Sequence, residues 1–342
     1  MTSIALAVLL LIAAPAFAQT TPVASPLAAE IDRRAAAIEQ ELLSWRRHLH
    51  QNPELSNREQ QTAAWVAEKL RSFGLMPVTG VARHGVVATL RGAMPGRTVA
   101  LRADMDGLPV AEATGLPFAS KAQSEYQGKP VSVMHACGHD THMAMLLATA
   151  RILTDLRPQL RGTVKFIFQP AEEGVDRSEE PAGAELMIRE GVLENPGVDA
   201  VFGIHVFANI ATGAVGWRSG PMLAANDSFE ITVRGRQTHG ANPWAGVDPI
   251  VIGSQVVMAL QTIVSRQVNI AMEPAIITVA EDFSKFQQAV PGLFLLLGIT
   301  PAQQVGMAPA NHSPEFLVDE SALVTGVRLM TNLAADYLFN SR

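Results

Sequence analysis

Apolar residues recur along this chain with two different periods, and the switches between them outline an α/β protein. From Leu27 to Gln51, the residues Ile31, Ala35, Ile38, Leu42, Leu43 and Leu49 fall at helical spacing and Pro53 closes the segment, so the pattern predicts one amphipathic first helix. A second helix is predicted over Glu59–Phe73, ending at Gly74. Gly85–Leu90 and Thr98–Arg102 are β-branched or apolar and read as strands joined through the turn G-A-M-P-G. Further on, A-M-L-L-A-T-A-R-I-L predicts a helix and G-T-V-K-F-I-F-Q a buried strand. Gly183–Gly191 then reads as a helix and V-D-A-V-F-G-I-H-V as another strand.

From Asn226 the pattern changes. S-F-E-I-T-V-R-G alternates like an edge strand, R-Q-T-H-G-A-N-P-W is a loop, Val247–Val268 predicts one long helix, and Ala275–Val279 a further strand. This is a small β-loop-α-β unit set between parts of a larger sheet. The chain returns through the short helix E-D-F-S-K-F-Q-Q-A-V, the strand Gly292–Leu297, a loop carrying A-N-H-S-P, and a final helix over Glu320–Leu338. The expected fold is α/β, a mixed central sheet flanked by helices, over residues 19–221 and 280–342, with a small α+β domain inserted at 222–279.

Composition narrows the function. The chain has 342 residues, 48% hydrophobic and 17% charged, with a formal net charge of -6 and no block of Lys and Arg, which excludes the clustered cations that nucleic acid requires. Residues 1–18 read as an export signal: Ile4–Ala14 is apolar but too short to span a bilayer, and Ala16-Phe17-Ala18 is a small-x-small cleavage site. The stretch lacks a basic residue near its start, so an uncleaved anchor stays open. Export to the periplasm or beyond is expected, with no membrane span once the signal is removed. Cys137 is the single cysteine, so it has no intramolecular disulfide partner and is left for other chemistry.

That cysteine lies in Met134–His142, M-H-A-C-G-H-D-T-H, where three histidines, one cysteine and one aspartate fall within nine residues. A thiolate beside imidazoles suits zinc or a similar divalent ion; the alternative is a buried free cysteine beside helix-start polar groups. Gly138 favours the metal, because ligand loops often need backbone conformations that only glycine adopts readily. Asp104 and Asp106 follow a core strand, Glu172 and Glu173 follow another, and His205 stands near the end of a third. Strand ends are where α/β proteins converge working residues on one rim. Adjacent carboxylates repel and favour a cation beside them, so one glutamate can bind an ion while the other stays free as a base. Each pair alone is weaker: aspartates also cap solvated turns, Glu-Glu occurs on surfaces, and a lone strand histidine is often a core residue. His48 and His50, two apart at a helix end, read as structural.

Taken in order, R-A-D-M-D-G-L-P, M-H-A-C-G-H-D-T-H, Q-P-A-E-E-G, G-I-H-V, T-H-G-A-N-P-W-x-G-V-D-P and N-H-S-P resemble the two-metal amidohydrolases that include hippurate hydrolases, N-acyl-amino-acid amidohydrolases and auxin-conjugate hydrolases, within the aminoacylase and carboxypeptidase superfamily. The resemblance covers nearly the whole mature chain. It implies a zinc-peptidase-like catalytic domain, two divalent ions (Zn, Mn, Co or Ni), and hydrolysis of the amide of an N-acyl or N-aroyl amino acid. By that resemblance Cys137, His139, Glu173, His205 and His312 are the metal ligands, with Cys137 as a bridge, and Glu172 is the general base. Asp106 supports the site from behind the ligands, and His239 stabilises the oxyanion, reaching the site from the partner in a homodimer built on the inserted domain. Asp104, His135 and His142 receive no ligand role.

The sequence also departs from the family pattern. Relatives complete the inserted domain with further strands and a second helix, whereas here Val279 and Ala280 run directly into E-D-F-S-K-F, leaving the inserted domain incomplete. Two strands and a helix fall short of an independently stable sheet, so metal binding is expected to survive this loss more reliably than catalysis. Two alternatives therefore stay beside the amidohydrolase: a non-catalytic metal-binding remnant, and a dipeptidase or carboxypeptidase.

Overall fold

A computed structural model describes residues 24–219, 230–263, 266 and 281–340. The chain begins with helices α1 (Ala28–Ala37), α2 (Glu39–Gln51) and α3 (Gln60–Ser72), then strands β1 (Val78–Val81), β2 (Gly85–Arg91) and β3 (Met94–Asp104). A small hairpin, β4 (Gln123–Tyr126) and β5 (Lys129–Ser132), precedes α4 (His139–Asp155), β6 (Arg161–Gln169), α5 (Gly183–Arg189), β7 (Ala200–Ala211) and β8 (Val215–Gly216). Further along the described residues come α6 (Pro249–Thr262), α7 (Phe283–Ala289), β9 (Gly292–Thr300) and α8 (Leu323–Phe339).

Among the described residues, seven strands form one mixed sheet in the order β1-β2-β6-β3-β7-β9-β8, parallel across β6, β3, β7 and β9 and antiparallel at both edges. Strand alternation sends Val99, Leu101 and Ala103 to one face, where α1 to α4 and α8 cover them, and Ala100 to the other, where α5 and α7 do. β6 divides the same way: Val164, Phe166 and Phe168 face the first core, Ile167 the second. Helices on both faces bury the central parallel strands, as parallel sheets require. The expected α/β class with a mixed, helix-flanked sheet is the observed one.

Three expectations differ from the structure. The first helix is two, parted at Ile38 (φ −86°, ψ −1°), although Ile31, Ala35, Ile38, Leu42 and Leu49 are all buried in one core. The last helix starts as a 3₁₀ turn over Glu320–Ala322 before α8. The strand read over S-F-E-I-T-V-R-G does not form at 230–235, and the pairing there is a lone bridge between Arg236 and Val247. An alternating segment becomes a strand only against a partner, and none of the described residues supplies one. The long helix is α6, capped by Asp248 Oδ1, which accepts from Ile250 N at 2.8 Å and Val251 N at 3.4 Å. No α6 side chain is buried; Ile250 is 79% and Met258 68% exposed. The Ala275–Val279 strand and the export signal lie outside the described residues. Among the described residues no helix is long and apolar enough to cross a membrane.

Candidate metal centre

Sheet register brings the sequence-separated candidates to one level. Asp104 at the end of β3 pairs with Gln169 at the end of β6, and Arg102 pairs with Gly203 of β7, so His205 stands as far along β7 as Asp104 does along β3. Glu172 and Glu173 follow β6 by three and four residues on the same rim. Gly138, at φ +92°, is the N-cap residue of α4, and His139 opens the helix. A side chain at Gly138 would force Val206 to move, since an added Cβ would overlap Val206 Cγ2. His312 arrives on the loop before α8, held by its backbone N donating to Ala136 O at 2.8 Å. Asn311 secures that loop: its Nδ2 donates to Cys137 O at 3.2 Å and Val206 O at 3.0 Å, while its Oδ1 accepts from Ala208 N at 3.1 Å.

All five predicted ligands and the predicted base meet there. Cys137 Sγ lies 3.3 Å from His205 Nε2 and 3.2 Å from His312 Nε2, and His312 Nε2 lies 3.2 Å from Glu173 Oε1. His139 Nε2 is 3.7 Å from Glu173 Oε1 and 3.9 Å from Glu172 Oε2. Two ligand triads result, Cys137 with His139 and His205, and Cys137 with Glu173 and His312, sharing the thiol. Cys137, His139 and His205 are buried, Glu172 and Glu173 are half-buried, and the His312 side chain, 53% exposed, marks the open side.

Neighbours fix each ligand's orientation. His139 Nδ1–H donates to Asp106 O at 2.8 Å and lies 3.3 Å from Asp106 Oδ1, leaving Nε2 aimed into the cluster. Asp106 Oδ2 accepts from Ser56 Oγ at 2.6 Å and from Glu173 N at 2.9 Å, so one carboxylate positions two ligands. His205 Nδ1–H donates to Val206 O at 2.8 Å, presenting Nε2 to Cys137. His142 is spent otherwise. Its Nδ1 bonds Asp104 Oδ1 at 2.6 Å and its Nε2 accepts from Val206 N at 2.9 Å, so neither nitrogen is free to ligate.

The electrostatics call for a cation. Burial would lower the His139 imidazole, but Asp104, Asp106 and Glu173 overcome it and raise it to about 10. Burial, with Glu173, Glu172 and Asp104, pushes the Cys137 thiol well up. Burial, with Glu281, Glu173 and Asp282, pushes Glu172 well above the usual carboxylate range against the pull of Arg102. Burial and the neighbouring His142 hold His205 well down, hence neutral and able to ligate. His139 Nε2 and Glu173 Oε1 are buried without a hydrogen-bond partner, an arrangement that costs free energy unless something else binds them. Thiol, imidazole and carboxylate donors of this kind fit divalent transition metals.

The profile of peptidase family M20/M25/M40 matches residues 100–336, a span holding all five predicted ligands and Glu172. The chain belongs to peptidase family M20/M25/M40. Its relatives in that family include an N-acyl-L-amino acid amidohydrolase of Geobacillus stearothermophilus, 45% identical over 74% of this chain and 64% of the relative. Thermostable carboxypeptidase 2 of Saccharolobus solfataricus is 43% identical over 71% of this chain and 58% of the relative. The chain thus spans about three-fifths of the length of these curated relatives. Among solved M20 structures, a dinuclear metal-binding peptidase of Bacillus subtilis superposes with a TM-score of 0.67 at 28% identity, covering 89% of this chain and 99% of that one.

Of the site residues read from the sequence, His239, expected to act from a partner copy, is the one that lies away from the cluster within the single chain. It lies in the exposed loop before α6, where its Nδ1 accepts from Ala241 N at 3.1 Å. Conversely, sequence reading missed several supports. Glu59, read as a helix start, is buried, and its Oε1 accepts from Ala171 N at 2.8 Å beside the Glu172 turn. Its buried position and the Asp106 charge raise it to about 8. Asn311 carried a local signal, as the first residue of N-H-S-P; Ser56 carried none, and Arg102 none beyond standing in a core strand.

Proposed function

We propose that this chain is a metal-dependent amidohydrolase that cleaves the amide bond of N-acyl or N-aroyl amino acids. The observation that carries the reading is the sharing of Cys137 by two ligand triads with Glu172 standing beside them. Cys137, His139 and His205 would hold one divalent ion and Cys137, Glu173 and His312 the other; such ions polarise a carbonyl and acidify water. Glu172 Oε2, the oxygen turned toward His139, takes the proton of the attacking water and returns it to the leaving amine. His239, brought over the site by a partner copy docked through the inserted unit, would donate to the developing oxyanion, a contribution of about 3 kcal/mol. Residues 1–18 would direct the protein out of the cytoplasm.

The names of the relatives support both amidase and carboxypeptidase chemistry, and the exposed α6 supports a second reading, a metal-binding remnant without turnover. Hydrolysis of a panel of N-acetyl and N-benzoyl amino acids and dipeptides, with manganese or zinc and with chelator, separates these. Metal-dependent turnover lost in Glu172→Ala at unchanged metal content supports the amidohydrolase. Equal inertness of both proteins with metal bound supports the remnant, and selective cleavage of dipeptides the peptidase.

A further inference from the structure

The carboxylate of Asp282 is held more firmly than its place in the chain requires. Asp282 is the N-cap residue of α7, where an aspartate ordinarily accepts from the first free N–H groups of the helix, yet its side chain makes no such bond. It turns into the protein body instead. Oδ1 lies 2.9 Å from the Arg102 guanidinium and accepts from Gln169 Nε2 at 2.8 Å; Oδ2 accepts from the same Nε2 at 2.7 Å and from Ala184 N at 2.9 Å. Gly183 permits that approach, because a Cβ there would press on Asp282 Oδ2 and on Ala171 O. Arg102, 1% exposed, also bonds Asp104 Oδ2 at 2.7 Å, Gln169 Oε1 at 2.8 Å and Glu281 Oε1 at 3.0 Å. With its carboxylate fixed, the backbone N–H of Asp282 points at Glu172 Oε1, 3.4 Å away.

We propose that Arg102, Gln169 and Asp282 form a clamp that positions Glu172 through the Asp282 N–H. The inference rests on the reading of Glu172 as the general base. One carboxylate oxygen, Oε1, is tied to the clamp, which leaves Oε2 turned toward the metal ligands. Arg102 reaches Asp104 and Asp282 together, so the rim of β3 and the segment that re-enters the sheet at position 281 are braced against each other. These three are positioning residues: none of them reaches the cluster of ligands, and they act on the reaction through Glu172.

The test uses the full chain and two readouts. In the metal-free protein, residue-resolved hydrogen exchange of the Asp282 amide is compared among wild type, Glu172→Gln and Glu172→Ala. Glutamine keeps an acceptor oxygen and should preserve protection, whereas alanine should speed exchange roughly tenfold or more. In the metal-loaded protein, Asp282→Asn should lower kcat by roughly 10- to 100-fold with KM within about twofold and metal content unchanged, since slight misplacement of a reacting group is costly. Equal exchange in all three proteins would overturn the clamp, even if Asp282→Asn failed to fold. A joint fall of kcat, affinity and metal content in Asp282→Asn would overturn it too, reducing these contacts to fold maintenance. Altered exchange with turnover retained in Glu172→Ala would remove the base assignment, and the positioning role with it, while leaving the contact in place.

Discussion

Replacing Gly138 by alanine should damage the metal centre out of proportion to the single methyl group added. Gly138 sits at φ +92°, where a non-glycine residue pays about 1–2 kcal/mol. The new Cβ would also overlap Cγ2 of Val206, a fully buried, β-branched side chain with little rotameric freedom. Overpacking of that kind adds about 1–3 kcal/mol, giving about 2–5 kcal/mol in all. Gly74 supplies the control: it has φ +86° but nothing within 4 Å of an added Cβ, so Gly74→Ala should show the backbone cost alone. Urea unfolding of the two variants against wild type isolates the packing part as their difference. Val206 also follows His205 and donates its N–H to His142 Nε2 at 2.9 Å, so moving it should shift a ligand and lower the metal content of Gly138→Ala only. Equal destabilisation of the two variants, or a full metal complement in Gly138→Ala, would refute the reasoning.

Three further outcomes are expected. Glu59 is raised from 4.5 to about 8, so the folded state keeps a proton that the unfolded chain releases, and stability should fall as pH rises through that window. Glu59→Gln, which retains the acceptor for Ala171 N, should match wild type near pH 4 and exceed it by a few kcal/mol near pH 8 at about 1.4 kcal/mol per unit; parallel profiles in thermal melts would contradict this. Lys165 Nζ donates to the carbonyls of Val192, Glu194 and Pro196 at 2.9, 2.6 and 3.2 Å, so Lys165→Met should cost roughly 1–3 kcal/mol in urea unfolding by stranding them. Chelation should lower the melting temperature, since ligand at 100 times its Kd stabilises by about 2.7 kcal/mol, and an unmoved melt would argue against a folded-state metal centre.

What could be read from the sequence depended on whether the signal was local. The apolar run of α4, the β3 and β6 strands with carboxylates after them, and the ligand motifs all declare themselves within a dozen residues. Strand ends of a parallel sheet share a rim, which is why Asp104, Glu173 and His205 could be placed together before any coordinates. The break between α1 and α2 could not be read, because Ile31, Ala35, Ile38, Leu42 and Leu49 keep helical period across it and neither Gly nor Pro marks the kink. Residues 230–235 misled for the opposite reason: their alternation is real, but strand formation depends on a partner that the segment does not itself encode. The Arg102 hub was invisible because an arginine inside a strand pattern discloses nothing about the carboxylates that Asp104, Glu281 and Asp282 bring to it from 180 residues of chain. His50, bonded to Asp140 at 2.8 Å and Glu112 at 3.1 Å, is structural as its spacing from His48 suggested.

Metal stoichiometry in three proteins tests the central claim most directly. Because Cys137 belongs to both triads while His312 belongs to one, the account predicts two ions per chain in wild type, one in His312→Ala and none held tightly in Cys137→Ala. Two ions retained in Cys137→Ala, or fewer than two in fully loaded wild type, would contradict a two-metal centre joined through that thiol.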